Sequence, residues 1–163
     1  MSVPPGATIE RAVLKWHIYS YDGDTWQMTV RGIAQDSATP FSSGDLPSSR
    51  PMTVASQAWN LAEAPMEQWI TSPDLSSIIQ EIVGRPGWVA GNALALYVQD
   101  PSQSGFLYIS DFNRGASYAP VLEIDYSLGG TTSMMSDPSQ DAILVSVHFV
   151  PSVADLLHPD NDT

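Results

Sequence analysis

Cysteine is absent from the 163 residues, so neither a disulfide framework nor a thiolate metal site can be built from this chain. Basic residues are scarce: six Lys and Arg stand against 18 Asp and Glu, a formal net charge of −12 at pH 7. Gripping a phosphate backbone needs clustered Lys and Arg, so nucleic acid is not an expected partner. No apolar run approaches the about 18 residues of a membrane-spanning helix, and no membrane partner is expected. The opening MSVPPGATIERAVLKW places no basic segment ahead of an apolar stretch, so no secretory signal is expected either. Gly-x-Ser-x-Gly, a phosphate-cradling loop and His-Glu-x-x-His are all missing. No organic cofactor is called for, and the chain is not expected to be an enzyme.

What is present belongs to a globular domain. Hydrophobic residues make up 43% of the chain and charged ones only 15%, which is enough apolar surface for one core. Thirteen prolines and eleven glycines break it into short segments. In ERAVLKWHIYS, Ala12, Leu14, Trp16 and Ile18 fall on one face and Val13, Lys15, His17 and Tyr19 on the other, the period of a half-buried strand. YDGD is turn chemistry, and TWQMTVRG alternates again through Trp26, Met28 and Val30, so the two segments read as a hairpin.

MTVASQAW, EQWI, ALALYVQ, GFLYIS, PVLEIDYS and AILVSVHFV read as further strands. The loop over 35–51 is long enough to require a purpose. About eight short strands predict an all-β, antiparallel, jelly-roll-like sandwich over residues 1–127. A flexible linker over 128–141 and a C-terminal strand with an acidic tail over 142–163 are expected to follow it.

One helix interrupts the pattern, over about 73–83. Ser72 stands where an N-cap belongs, Pro73 suits the first helical position, and Asp74 meets the positive end of the helix dipole. Leu75, Ile78, Ile79, Ile82 and Val83 make one buried stripe. Gly84 is placed for a left-handed C-terminal cap, and Pro86 stops continuation. The helix reads as scaffold that closes the sandwich.

VPPGAT with IERAVLKW, the loop ending in RPMTVASQAW, then TSPDLSSIIQEIVGRPGWVAGNALAL and APVLEIDY, occur in an order that resembles a family. It is that of the DNRLRE (disaggregatase-related) and carbohydrate-binding-module-like β-sandwich domains of bacterial surface and phage virion proteins. The resemblance runs from about Pro4 to Tyr126, and the helix-Arg-Pro-Gly-Trp-x-x-Gly-Asn segment is its most specific part. It implies a jelly-roll-like sandwich without catalysis, appended to larger extracellular or surface proteins. Such domains begin with strands ahead of the Pro-Pro-Gly-Ala-Thr segment, whereas this chain opens on it and runs on past Tyr126.

Candidate sites are few. Asp22 and Asp24, flanking Gly23, could hold a calcium ion, and equally form a turn. His17, His148 and His158 lack metal-ligand spacing and read as packing or solvated groups. Glu123 and Asp125 lie on one strand face, roughly 6.6 Å apart along it, and read as a solvated surface rather than a glycosidase pair. Trp16, Trp26 and Trp88 read as core. Tyr19, Tyr21, Phe112 and Tyr118 are the better ligand candidates, with a glycan as the ligand class. In AILVSVHFV, Ile143, Val145, Val147 and Phe149 share one face. Left unpaired, that segment would be an aggregation-prone edge, so it is expected to add to a sheet of its own domain or of a neighbouring copy. The leading expectation is a non-enzymatic structural or decoration protein on the head, neck or tail surface of a bacteriophage-like virion, partnered by virion subunits or by itself as a homo-oligomer. The alternative is a carbohydrate-binding module of a secreted or cell-surface protein.

Overall fold

The computed structural model describes residues 1–22, 25–42, 44–62, 66–100 and 106–129. These form seven strands and one helix: β1 Ala7–Asp22, β2 Trp26–Ile33, β3 Met52–Leu61, β4 Gln68–Thr71, α1 Ser76–Val83, β5 Leu96–Gln99, β6 Phe106–Ile109 and β7 Val121–Leu128. Short 3-10 turns occupy Pro47–Ser49, Phe112–Arg114 and Ala116–Tyr118. The strands make two antiparallel sheets, so the expected all-β sandwich with one helix is what the chain forms.

In the first sheet β1 is central. The carbonyls of Leu14 and Ile18 accept from Ser72 and Glu67 on one edge, the side of β4. The carbonyl of His17 accepts from Ser110 on the other, where β7 lines the first half of β1 and β6 the second. The second sheet runs β3-β2-β5. Ala12, Leu14, Trp16 and Ile18 are fully buried, as their alternation requires, and Trp16 meets Trp59 of β3 at 4.6 Å between ring centroids. Trp26 and Trp88 are core as well.

The expected hairpin of β1 with β2 does not form. Each pairs only within its own sheet, so the two consecutive strands lie on opposite sides of the core. Alternation states which face is buried, not which strand lies alongside. Two apolar faces packed against each other satisfy it as well as two strands paired edge to edge.

The helix begins three residues later than its sequence signals suggest. Leu75 is the N-cap and contributes no side-chain cap. Ser72 serves β1 instead, its Oγ accepting from the Leu14 amide at 2.9 Å. Asp74 is shared, Oδ1 accepting from the Ala12 amide at 2.9 Å and from the amide of Ser76, the first helical residue, at 3.1 Å. Where β4 stops, the edge of β1 still has amides to satisfy, and these side chains prolong the ladder. Gln80 continues it, accepting from the Ile9 amide and donating to the Ala7 carbonyl. On its other flank α1 reaches the second sheet, where Glu81 takes the amides of Val54 and Ala55, each at 2.8 Å.

The helix therefore clasps one side of the sandwich by polar contacts to both sheets. Its buried residues Leu75, Ile78, Ile79, Ile82 and Val83 add about 1.5–3 kcal/mol each. Close docking is why Gly32 is a glycine: a Cβ there would stand 2.5 Å from the tip of Ile82. Gly84 ends the helix at φ −76°, so the expected left-handed cap is absent and its amide simply reaches back to Gln80 and Ile82.

The Ala12 amide, then the Ser76 hydroxyl and amide, hold the Asp74 carboxyl below its ordinary value of 3.8. A depressed native pKa gives stability that is complete above the unfolded value and lost as pH falls through the native one. Asp74→Asn should therefore be less stable than the parent at about pH 6, with the gap closing below about pH 4. Urea midpoints across that range test it, and a constant gap would refute it.

The segment Arg85–Asn92 fixes the loop after β2 and the N-terminus together. Arg85 Nε binds Asp36 Oδ1 at 2.6 Å, and a Cβ on Gly87 would run into the same carboxylate. Trp88 Nε1 donates to the Val3 carbonyl at 3.0 Å, and Asn92 Nδ2 to the Asp36 carbonyl at 3.0 Å. This most distinctive stretch of the sequence is scaffold. The rest of the 35–51 loop is organised by Arg50, which is buried. Its guanidinium binds Asp45 through two nitrogens, donates to the carbonyls of Thr39 and Pro40, and lies 4.2 Å from the Phe41 ring centre.

Candidate functional site

The face of the first sheet turned away from the core carries a group of aromatic and charged side chains in mutual contact. It is assembled by the connection from β6 to β7. Asp111 opens the first 3-10 turn, with Oδ1 accepting from the amides of Asn113 and Arg114 and Oδ2 from Asn113 Nδ2. Gly115, at φ 138°, lets a second turn follow at once. The doubled turn lays Arg114 across β1.

The Arg114 guanidinium lies 3.7 Å from the Tyr19 ring centre and 5.5 Å from that of Tyr118. Its Nη2 reaches both oxygens of Glu67, at 3.0 and 3.3 Å. Glu67 precedes β4 and has φ 55°, a left-handed backbone uncommon outside glycine. Arg114 thus ties the β6–β7 side of the sheet to its β4 side over the top of the central strand.

Under this strap lies His17, 4% exposed. Its Nδ1 is 3.1 Å from Ser110 Oγ, and its ring meets Trp69 and Tyr118 edge-on at 5.5 and 4.8 Å. Nε2 is 3.9 Å from Glu67 Oε2. Serine, histidine and carboxylate in that order are the parts of a hydrolytic triad, but two features argue against that use. Ser110 is only 2% exposed, and 3.9 Å is too long for a hydrogen bond to a carboxylate already held by Arg114. The arrangement braces the face and does not offer a nucleophile.

Beside the brace is an open depression of about 380 Å³ lined by Tyr19, Ile109, Ser110, Asp111 and Arg114. Tyr19, Trp69, Phe106, Tyr108 and Phe112 are exposed around it or on neighbouring strands, and Phe106 and Tyr108 lie 6.3 Å apart. Farther along β1, Lys15 pairs with Glu123 at 2.5 Å and Arg11 with Asp125 at 3.5 Å. These are solvent-facing cross-strand pairs, as expected of Glu123 and Asp125. Each is worth about 1 kcal/mol at most.

Of the four ligand candidates, Tyr19 and Tyr118 are brought together by Arg114. Phe112 is exposed on the same connection. Tyr21 is separated from them. The pairing of β1 with β6 shifts register between Ile18 and Ser20, so Tyr21 falls opposite buried Leu107 and meets Trp26 edge-on at 5.8 Å. A bulge between Ile18 and Ser20 keeps Tyr19 and Tyr21, i and i+2, from sharing one face.

Asp24 of the calcium expectation lies outside the described residues, and Asp22 is described only as the backbone end of β1. Among the described residues no three His, Asp or Glu side chains gather as a metal site requires. Ile143, Val145, Val147 and Phe149, with the linker from residue 130 onward, also lie outside the described residues. No described helix is long and apolar enough to cross a membrane.

Sequence reasoning missed Glu67, Trp69, Ser110 and Arg114. Glu67 and Arg114 are 47 residues apart, and no local pattern announces their pairing. Comparison with protein-family models, with curated proteins and with solved structures finds no match to this chain.

Proposed function

We propose that the chain is a non-enzymatic surface or decoration protein of a bacteriophage-like particle, and that it joins neighbouring subunits through the outer face of its first sheet. The observation that carries the reading is that Tyr19, Trp69, Tyr108, Phe106 and Phe112 are all exposed on the strands of this sheet and on the connection that lays Arg114 over Tyr19. Trp, Tyr and Arg dominate the energetic centres of protein interfaces, and clustered exposed aromatics mark contact surfaces. Five of the six basic side chains are already paired with carboxylates, which supports a protein partner over a polyanion. The resemblance to domains of surface and virion proteins supports the same reading.

Light scattering of the purified chain and co-sedimentation with particles from its source test the proposal. Self-association or particle binding is expected, weakened about tenfold or more by Trp69→Ala or Tyr108→Ala with little change in melting temperature. A chain that stays monomeric and never accompanies particles would sink it.

The alternative, a carbohydrate-binding module of a secreted or cell-surface protein, is favoured by one feature. The depression beside Tyr19 sets a flat ring next to hydrogen-bonding side chains, the combination that sugars use. Saturable binding on a glycan array, lost in Tyr19→Ala, would select this reading.

A further inference from the structure

The two outer edges of the second sheet are not alike. Ile33 donates its amide to the Ala95 carbonyl at 2.9 Å, and the register then pairs Arg31 with Tyr97 and Thr29 with Gln99. In an antiparallel ladder these residues turn N–H and C=O toward β2, so Leu96 and Val98 turn theirs away from it. Both are 1% exposed, and on that side neither has a backbone partner among the described residues. At β3 the outward-turned groups belong to Ser56, Ala58 and Asn60, which are exposed and can be satisfied by water. Buried backbone donors and acceptors are nearly always paired. The two amides and two carbonyls of β5 therefore call for another extended backbone beside them.

We propose that the outer edge of β5 is a strand-binding site occupied by residues 142–150 of the same chain. AILVSVHFV is long enough to cover the four residues of β5, alternates as a strand does, and has no charged group other than His148. The path is short. β7 ends with Leu128 opposite Ala7. From Ala7 the chain leads back to Met1, which binds Asn92 and Gly91 just ahead of β5. The chain thus leaves β7 near the end of the sandwich where β5 starts, and residues 129–141 can span about 40 Å when extended. A strand added here shields a buried edge that the described residues leave unpaired, and its apolar face meets the core beside Leu96 and Val98.

Nuclear magnetic resonance on the isotope-labelled full chain tests this. The Leu96 and Val98 amides should exchange about a hundredfold or more slowly than those of Ser56 and Ala58. Nuclear Overhauser contacts should link β5 to residues 143–149, and in a mixture of labelled and unlabelled chains they should be intramolecular. Ser146→Pro and Val147→Pro are made separately, because one of them must remove a donor on the β5 side whatever the register. That variant should release the Leu96 and Val98 amides while Met28 and Val30 stay protected.

Fast exchange at Leu96 and Val98 in the parent chain would overturn the proposal. So would contacts from β5 to some other segment, or contacts only between different molecules. If a proline variant fails to fold, the contacts of the parent chain decide.

Discussion

Trp88→Ala should lower the unfolding free energy by about 3–5 kcal/mol, the range for truncating a buried tryptophan. Trp88 is among the largest fully buried side chains, follows α1 in a tight turn, and holds the N-terminal segment through its bond to the Val3 carbonyl. The loss has two parts, a cavity against the helix and a buried carbonyl left without its donor. Trp88→Phe keeps most of the volume and removes the donor, so it should cost less, about 1–2 kcal/mol. Urea denaturation followed by circular dichroism separates the two variants. A Trp88→Ala chain as stable as its parent would mean that the turn after the helix is not part of the core.

Arg50→Met should cost about 2–4 kcal/mol, with its effect concentrated in the loop over 35–51. The substitution keeps an apolar stem over Phe41 but leaves the carbonyls of Thr39 and Pro40 without their donor. Arg50→Lys should rescue little, because one ammonium cannot meet Asp45 through two nitrogens and two carbonyls at once. The Arg50 hydrogen bond chiefly holds the Asp45 carboxyl below its ordinary value, so the loop should also loosen in acid as that carboxylate protonates. Amide exchange over 35–51 in Arg50→Met reads the effect directly, and protection equal to the parent's would contradict it.

Much of the fold was legible because burial leaves a period. The stripe Leu75, Ile78, Ile79, Ile82, Val83 and the alternation through Leu14, Trp16 and Ile18 each mark an apolar face, and those faces are buried as read; on the opposite face of β1, however, Val13 and His17 are buried too. Partnership leaves no such trace. The supposed hairpin failed because β1 and β2 satisfy their patterns across the core instead of edge to edge. The helix start failed because Ser72 is a good cap in isolation, while the unpaired amide of Leu14 claims it in the folded chain; Asp74 does meet the helix start, through the Ser76 amide.

The same division holds at the candidate face. Tyr19 and Tyr118 were legible as aromatics away from the core stripe. That Tyr21 stands apart from Tyr19 follows from a bulge that no composition reveals, and Arg114 meets Glu67 only after two sheet edges have been brought together. The purpose of the 35–51 loop was likewise invisible, since Arg50 acts through backbone carbonyls that carry no sequence signal.

An eight-residue helix cannot persist by itself in water, where helices shorter than about 12–15 residues are marginal. α1 exists only while both sheets hold it, and each sheet has amides that only the helix satisfies. Ile9 belongs to the first sheet, and Val54 and Ala55 to the second, yet all three are released by one event, the departure of Gln80 and Glu81. Two layers that pack face to face through apolar side chains could slide or part by degrees. With this helix between their edges they open together or not at all, and the sandwich behaves as a single cooperative unit.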